Sequence, residues 1–331
     1  MSADSSAVRL AVIGAGSMGS NHARVAAGAV GIELVAVHDA DRGRAEALAG
    51  RFDAVAVDSL DAIPRLADAA VIATPTELHA PIAHQLLAAG VDVLVEKPIA
   101  PDIDTAQRLV DAADAAGRVL MVGHVERFNP AILELDTLLE GVLHVEARRY
   151  SAYSPRIRDD VVTDLMIHDL DLVAMIAGGS PVDVEAMVQS SRSASADIAS
   201  ALVLFDSGVT ATLSASRVGQ HKIRHIDITQ KDSYVVIDLL RQDVTVQRVD
   251  QAEYLSEGGR RFRQVGVVEV PFLEHRGEPL GLELAHFADC VRTRKQPRVS
   301  GADGVRALDL ARRVITAAER SGRALSATAG T

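Results

Sequence analysis

Five short apolar runs, spaced a helix length apart, most constrain what the first third of this chain can fold into: RLAVIGAG, ELVAVHD, AAVIATP, VDVLVEKP and RVLMVGH. Helical patterns fill the gaps from about Ser17, over Arg42 to Phe52, from Pro81 to Ala89 and from Thr105 to Ala116. Strands alternating with helices of this length make βαβ units, hence a parallel, doubly wound sheet. From about residue 142 the pattern changes. HVEARRYSAYS, VDVEAMVQSS, SALVLFDSG, VTATLSASR, HIDITQ, YVVIDLL, VTVQRVD and VGVVEVPF are extended segments with few helices between them, as in a mostly antiparallel sheet. One helix interrupts this region, with Thr163 as its expected cap, Asp164 to Ala177 as its body and Gly178-Gly179 as its stop. Two more, around Leu280 to Thr293 and Ala302 to Ser321, close the chain. The expected fold is an α/β Rossmann domain over 1–124, then an α+β domain with a mostly antiparallel open sheet over 125–331.

The first apolar run ends in AVIGAGSMGSNHARVAA, which puts Gly14, Gly16 and Gly19 after a strand and at the opening of a helix. The first glycine permits a tight turn, the second lets backbone N–H groups approach a pyrophosphate, and the third lets helix and strand pack closely. The helix N-terminus attracts the phosphate charge, with Ser17 and Met18 in the same loop. Asp39 ends the next strand 20 residues after Gly19, where an acid binds both ribose hydroxyls. Asp39 and Asp41 would repel a 2′-phosphate, so NAD is preferred; Arg42 and Arg44 keep NADP open, or solvate a helix face.

Composition narrows the class further. A formal charge of -11 argues against a nucleic-acid or anionic-membrane surface, and the single cysteine, Cys290, excludes an intrachain disulfide framework and a Cys-rich zinc site. No segment approaches about 20 uninterrupted apolar residues, which makes a cytoplasmic protein the default. Of the 34 basic residues only Lys97, Lys222, Lys231 and Lys295 are lysines, and Lys97 stands at the end of an apolar strand. Open α/β sheets bind ligands at the carboxyl ends of their strands, so Lys97 is a candidate site residue rather than a solvated charge. Pro98 stops the strand there, and a cis Lys97-Pro98 bond is expected from that sharp stop.

With EKP following IATPTELH, the chain resembles the glucose-fructose oxidoreductase, inositol dehydrogenase and MocA (Gfo/Idh/MocA) family. The resemblance runs colinearly through GAGSMG, IATPTELH, EKP, GHVERFNP, the Asp164-x-x-x-His168 helix and EPLGLELAHFADCVRTRKQPRVSGADG. It implies a Rossmann domain joined to a sheet domain, 125–331, that supplies substrate contacts and usually the interface of a homodimer or homotetramer, its last helices packing back toward the first domain. It also implies hydride transfer between a sugar or cyclitol hydroxyl and nicotinamide, with Lys97, Asp164 and His168 in the site. GHVERFNPA is similar to a subgroup of nucleotide-sugar 3-dehydrogenases acting on UDP-N-acetylglucosamine or its uronic acid. RDDVVTDLMIHDLDL departs from many members in having Val161, Val162 and Met166 where they carry glycines, which bears on the substrate analogy more than on the chemistry.

Oxidising an alcohol needs a base that titrates near the working pH, which favours His168. Asp164, four residues earlier on one helix face, would orient the imidazole or stabilise its charged form, and Lys97 would stabilise the developing alkoxide. The same residues have plainer readings: His168 as a satisfied core histidine and Asp164 as a helix-start carboxylate. Thr74 and Pro75 are candidates to line the nicotinamide ribose or merely to form a turn, His79 to reach the cofactor or start a helix, and Glu96 and Lys97 to stand with the cofactor contacts. Arg127 and Asn129 are candidate substrate contacts, against a structural ion pair of Arg127 with Glu126 or Glu96. Arg156 and Arg158 are placed to grip a diphosphate, or to pair with Asp159 and Asp160. Asp164, His168 and Asp171 at i, i+4 and i+7 lack an evident fourth ligand, so no metal is expected. Two other readings stand beside the nucleotide-sugar enzyme: an inositol or free-sugar dehydrogenase, and a noncatalytic NAD-binding regulator.

Overall fold

The structure is a computed structural model that describes residues 7–154, 159–248, 252–255, 261–264, 266–320, 322 and 324–326. The chain begins with β1 (Val8–Ile13), α1 (Ser17–Gly28), β2 (Ile32–His38), α2 (Arg42–Ala49), β3 (Val55–Ala56), α3 (Ile63–Leu66) and β4 (Ala69–Ile72). It continues with α4 (His79–Ala88), β5 (Asp92–Glu96), α5 (Ile103–Ala116) and β6 (Leu120–Gly123), then two single turns, α6 (Pro130–Leu133) and α7 (Leu135–Leu138). β7 (Val142–Tyr150) follows, then a π-helical turn over Val162–Met166 that runs into α8 (Ile167–Ala177). Next come β8 (Pro181–Ser190), β9 (Ile198–Phe205), β10 (Thr210–Ser216), β11 (Ile223–Gln230), β12 (Ser233–Asp238) and β13 (Asp243–Arg248). The last elements are β14 (Ala252–Leu255), β15 (Arg261–Gln264), β16 (Val267–Glu269), α9 (Pro279–Thr293), α10 (Gly301–Arg320) and β17 (Ala324–Ser326). None of the described helices is long and apolar enough to cross a membrane.

These elements form two units: Met1–Phe128 with Gly277–Asp309, and Asn129–Arg276 with Leu310–Thr331. The first contains a six-stranded parallel sheet in the order β3-β2-β1-β4-β5-β6. The near-continuous apolar runs are explained by burial on both faces: every residue of β4, β5 and β6 is buried, including Asp92 and Glu96 in β5. At two residues, β3 is too short for its apolar period to be seen in the sequence. The order reverses between β1 and β4, so the carboxyl ends of those strands flank the place where open α/β sheets take ligands.

The second unit holds a nine-stranded sheet, β16-β13-β12-β11-β7-β10-β9-β8-β17, antiparallel except for β7 with β10 and β8 with β17. In β9 the two-residue period is direct, with Ala199, Val203 and Phe205 buried while Leu202 and Leu204 face out. α8 lies against β7 through a buried fork, in which Arg149 donates from Nε and Nη2 to Asp169 at 2.7–3.0 Å.

The helix expected over Asp164 to Ala177 starts earlier, and Thr163 is not its cap. Asp160 is: its Oδ1 accepts from the backbone N–H of Val162 at 2.8 Å and of Thr163 at 3.1 Å, while the Thr163 hydroxyl donates to Oδ2 at 2.8 Å. Two capping residues three apart compete in the sequence pattern, and the carboxylate, with two strong acceptors, takes the backbone donors. The stop falls where expected: Gly178 has φ 59°, and its N–H returns to Ala174 O.

Candidate functional site

In the first unit the glycine loop has three distinct physical demands. Gly14 has φ 98°, and a Cβ there would meet Ala73 O at 2.5 Å. A Cβ on Gly19 would come within 1.7 Å of Gly14 O, so α1 can approach β1 only over a glycine. A Cβ on Gly16 would meet nothing within 4 Å. Nothing among the described residues requires that third absence of a side chain, whereas close approach of a pyrophosphate would. Gly16 also caps α1 without any side-chain hydrogen bond, and Ser17 and Met18 are exposed, so the first N–H groups of a 12-residue helix stand open to an anion.

Asp39 at the end of β2 fixes the far side of this loop, its Oδ2 accepting from Ala15 N at 2.7 Å and its Oδ1 from Asp41 N at 2.8 Å. Asp41 in turn caps α2 by accepting from Arg44 N. The two arginines that keep NADP open are both occupied by acids. Arg42 donates to Glu46 at 2.7 Å and to Asp58 at 3.2 Å, and Arg44 stands 3.5 Å from Asp41.

The ends of β4 and β5 are tied together by His79, the first residue of α4. It is buried, with Nδ1 2.9 Å from Pro98 O and Nε2 2.9 Å from Thr74 O, and burial holds its imidazole below the ordinary histidine range. Both ring nitrogens face the backbone, so His79 fixes Thr74 against the turn that carries Lys97. Thr74 keeps a buried Oγ1 with no hydrogen-bond partner among the described residues, and Pro75 beside it is exposed. Lys97 is half-buried, one residue beyond the end of β5, and the Lys97–Pro98 peptide is cis, as the abrupt strand end led us to expect. Its backbone N–H donates to Glu96 Oε2 at 3.2 Å, and Glu96 Oε1 lies 2.7 Å from His22 Nε2. His22 carried no signal in the sequence beyond one polar residue on the inner face of α1. Arg127 is buried and stands 3.6 Å from Asp303, a partner other than the two acids considered for it from the sequence alone.

In the second unit Asp164 lies in the π-turn and His168 in the first turn of α8, both half-buried, with Asp164 Oδ2 and His168 Nδ1 fully covered. π-turns inside helices are frequent at functional sites. Asp160 holds the start of this turn, and a buried pair outside any motif holds Asp160's neighbour: Arg217 Nη1 donates to Asp159 O and Nε to Asp197 Oδ1 at 2.8 Å. Asn129 is buried and committed to the backbone, donating to Leu239 O at 2.9 Å and accepting from Ala131 N at 3.1 Å. Arg156 and Arg158 lie outside the described residues. Among the described residues no three His, Cys, Asp or Glu side chains gather as a metal-binding group.

Comparison with known proteins agrees with this anatomy. Residues 8–124 match the oxidoreductase family with an NAD-binding Rossmann fold, and residues 105–232 match the GFO/IDH/MocA C-terminal domain. UDP-N-acetylglucosamine 3-dehydrogenase of Acidithiobacillus ferrooxidans is 32% identical over 314 residues, 94% of this chain and 97% of that protein. A solved structure of the same enzyme superimposes with a TM-score of 0.86 over 95% of this chain and 98% of that one. The scyllo-inositol 2-dehydrogenase (NAD(+)) of Bacillus subtilis is 28% identical over 322 residues, 89% of this chain and 90% of that protein. The chain thus belongs to the Gfo/Idh/MocA family of NAD-binding, Rossmann-fold oxidoreductases, and it is a dehydrogenase acting on CH–OH groups.

Proposed function

We propose that the protein oxidises a secondary hydroxyl of a nucleotide sugar with NAD as hydride acceptor. The observation that carries this reading is the end-to-end agreement with a UDP-N-acetylglucosamine 3-dehydrogenase, at 32% identity over nearly the whole of both chains. The loop at Gly14, Gly16 and Gly19 with Ser17 and Met18 holds the pyrophosphate, Asp39 the adenosine ribose, and Thr74, Pro75 and Glu96 flank the nicotinamide side. NAD supplies the hydride acceptor, and the protein supplies charge and proton transfer. Lys97 holds the substrate oxygen and stabilises its developing negative charge, while His168 takes the hydroxyl proton and Asp164 steadies the imidazolium so formed. Arg127, Asn129, Arg156 and Arg158 remain candidate substrate contacts, with Arg127 and Asn129 fixed by the protein's own groups.

The test compares kcat/KM for UDP-N-acetylglucosamine and for myo-inositol with NAD. Preference for the nucleotide sugar by tenfold or more, about 1.4 kcal/mol, is expected. Faster turnover of myo-inositol would transfer the reading to the cyclitol enzymes, and tight NAD binding without turnover of either would favour a noncatalytic regulator.

Asp39 is the proposed selector of NAD over NADP. Asp39→Ala removes a carboxylate acceptor for the ribose hydroxyls and two backbone contacts, so NAD affinity should fall roughly 10- to 100-fold, at about 1.5–3 kcal/mol for a charged hydrogen bond. NADP affinity should hold or rise, narrowing the preference; isothermal titration with both cofactors reads the two changes. The outward face of the second unit's sheet, with Met187, Leu202 and Leu204 exposed, supports a homodimer or homotetramer, which light scattering would measure.

A further inference from the structure

Beneath the lysine turn lies a cluster of buried ionisable groups around Glu96, to which the reading above gives no part in proton transfer. Glu96 is the last residue of β5, in register with Gly123 of β6, and a Cβ at Gly123 would lie 3.2 Å from Glu96 Oε2. The strand is therefore relieved of a side chain beside this carboxylate. One carboxylate oxygen lies 2.7 Å from His22 Nε2, and the other accepts from Lys97 N at 3.2 Å. His22 is fully buried on α1, and its Nδ1 has no hydrogen-bond partner among the described residues, so Nε2 is the nitrogen it commits. α9 lies along α1, with Arg24 paired to Glu278 and Gly281 against Val25, and it brings a second, fully buried acid, Glu283, within reach of Glu96's charge. Neither oxygen of Glu283 has a hydrogen-bond partner among the described residues.

We propose that Glu96, braced by His22, is the positioning residue of Lys97: it holds the lysine's backbone and places one fixed negative charge under the turn. Glu283 is the neutral neighbour that keeps this charge single. A buried carboxyl with no partner holds its proton, whereas one that accepts from an imidazole and a backbone N–H stays ionised. The two acids follow that rule, with burial and the charge of Glu96 pushing Glu283 well above the usual carboxylate range. Burial acts against ionisation of Glu96 too, but His22 and Lys97 outweigh it and hold Glu96 below that range. The charged and titratable groups known to face Glu96 are His22 from α1, Lys97 beside it, His79 from α4 and Glu283 from α9. A single carboxylate among them favours the ammonium form of Lys97, the form that can stabilise an alkoxide.

The inference rests on the reading of Lys97 given above, and the pH dependence of kcat/KM separates the two. In Glu96→Gln the charge is lost and the lysine binds its proton less tightly. The alkaline limb of the profile should then move down by about one pH unit, with kcat reduced tenfold or more. Glu96→Asp keeps the charge, so its kcat falls while its limb stays within about 0.3 unit of wild type. Glu283→Gln replaces one neutral group by another, and its limb should also stay. The folded-state pKa of Glu283 is raised, so its contribution to stability is complete below about 4.5 and is lost as pH rises through that raised value. Relative to wild type, Glu283→Gln should therefore become progressively more stable as pH rises above about 4.5, measured by thermal unfolding. An unmoved limb in Glu96→Gln, or an equal shift in Glu96→Asp or Glu283→Gln, would overturn the proposal. Full turnover by Lys97→Met would instead overturn the reading of Lys97 on which it stands.

Discussion

Lys97→Met and His168→Ala should each leave less than about 1% of wild-type turnover while binding NAD within roughly threefold of the normal affinity. The size follows from the two functions removed. A positioned general base contributes about 10²–10⁴ in rate, and one preorganised group facing a developing oxyanion about 10²–10³. The selectivity follows from position. Neither substitution touches the open N–H groups of α1, the Gly16 clearance or Asp39, and distant sites contribute independently. Lys97→Met keeps the length and apolar stem of a half-buried side chain and leaves the backbone bond from residue 97 to Glu96 intact. Stopped-flow absorbance at the reduced nicotinamide band reads the rate, and quenching of that cofactor's fluorescence reads affinity. Full activity in both variants would remove the mechanism, and loss of NAD binding alongside activity would mean that the turn after β5 serves the cofactor first.

The residues that made this expectation legible in the sequence are those whose backbone demands fall directly on residue type. The glycines at 14 and 19 are forced by contacts of 2.5 Å and 1.7 Å that any residue with a Cβ would suffer, and such a demand imprints directly on residue type. The same holds for the all-buried strands β4 to β6, whose burial on both faces erases alternation and leaves continuous apolar runs. His22, Glu283, Asp197 and Arg217 were invisible for the opposite reason. His22 meets Glu96 74 positions away and Arg217 meets Asp197 20 positions away, while Glu283 has no hydrogen-bond partner among the described residues, and no local period marks any of them. The misplaced helix start before Asp164 has the same root. Asp160 and Thr163 are both good caps, and only the three-dimensional path of residues 159–161, held by Arg217 and by Val161 N to Ala196 O, decides between them.

The same path makes Arg217→Met the most destabilising single substitution we expect in the second unit. Asp197 is fully buried, and its Oδ2 accepts three backbone N–H groups, from Ser191, Arg192 and Ser193, at 2.6–3.0 Å. Its Oδ1 takes Ser193 Oγ at 2.7 Å and Arg217 Nε at 2.8 Å. Arg217, itself fully buried, also reaches Ser193 Oγ at 3.0 Å and Ser195 Oγ at 2.8 Å. Burial alone would raise the Asp197 carboxyl; the guanidinium and the backbone donors overcome it and hold the group far below the usual carboxylate range. Removing the cation leaves a buried carboxylate without its counter-charge, which costs about 3–5 kcal/mol. For a unit of this size that is a fall of roughly 10 °C in the calorimetric midpoint. Asp197→Asn should cost about as much through the mirror fault, an arginine buried without its acid. It should also remove a pH dependence: a depressed folded pKa contributes stability that is present above about 3.8 and is lost as pH falls through the lower, folded value. Wild type should therefore lose midpoint on acidification from pH 5 to 3 more steeply than Asp197→Asn. Because Arg217 also holds Asp159 O, one residue before the Asp160 cap, Arg217→Met should release the π-turn and lower turnover at temperatures where the protein is still folded. Hydrogen exchange over residues 159–166 separates a released turn from a merely less stable unit: the first raises exchange there selectively, the second raises it throughout residues 129–276.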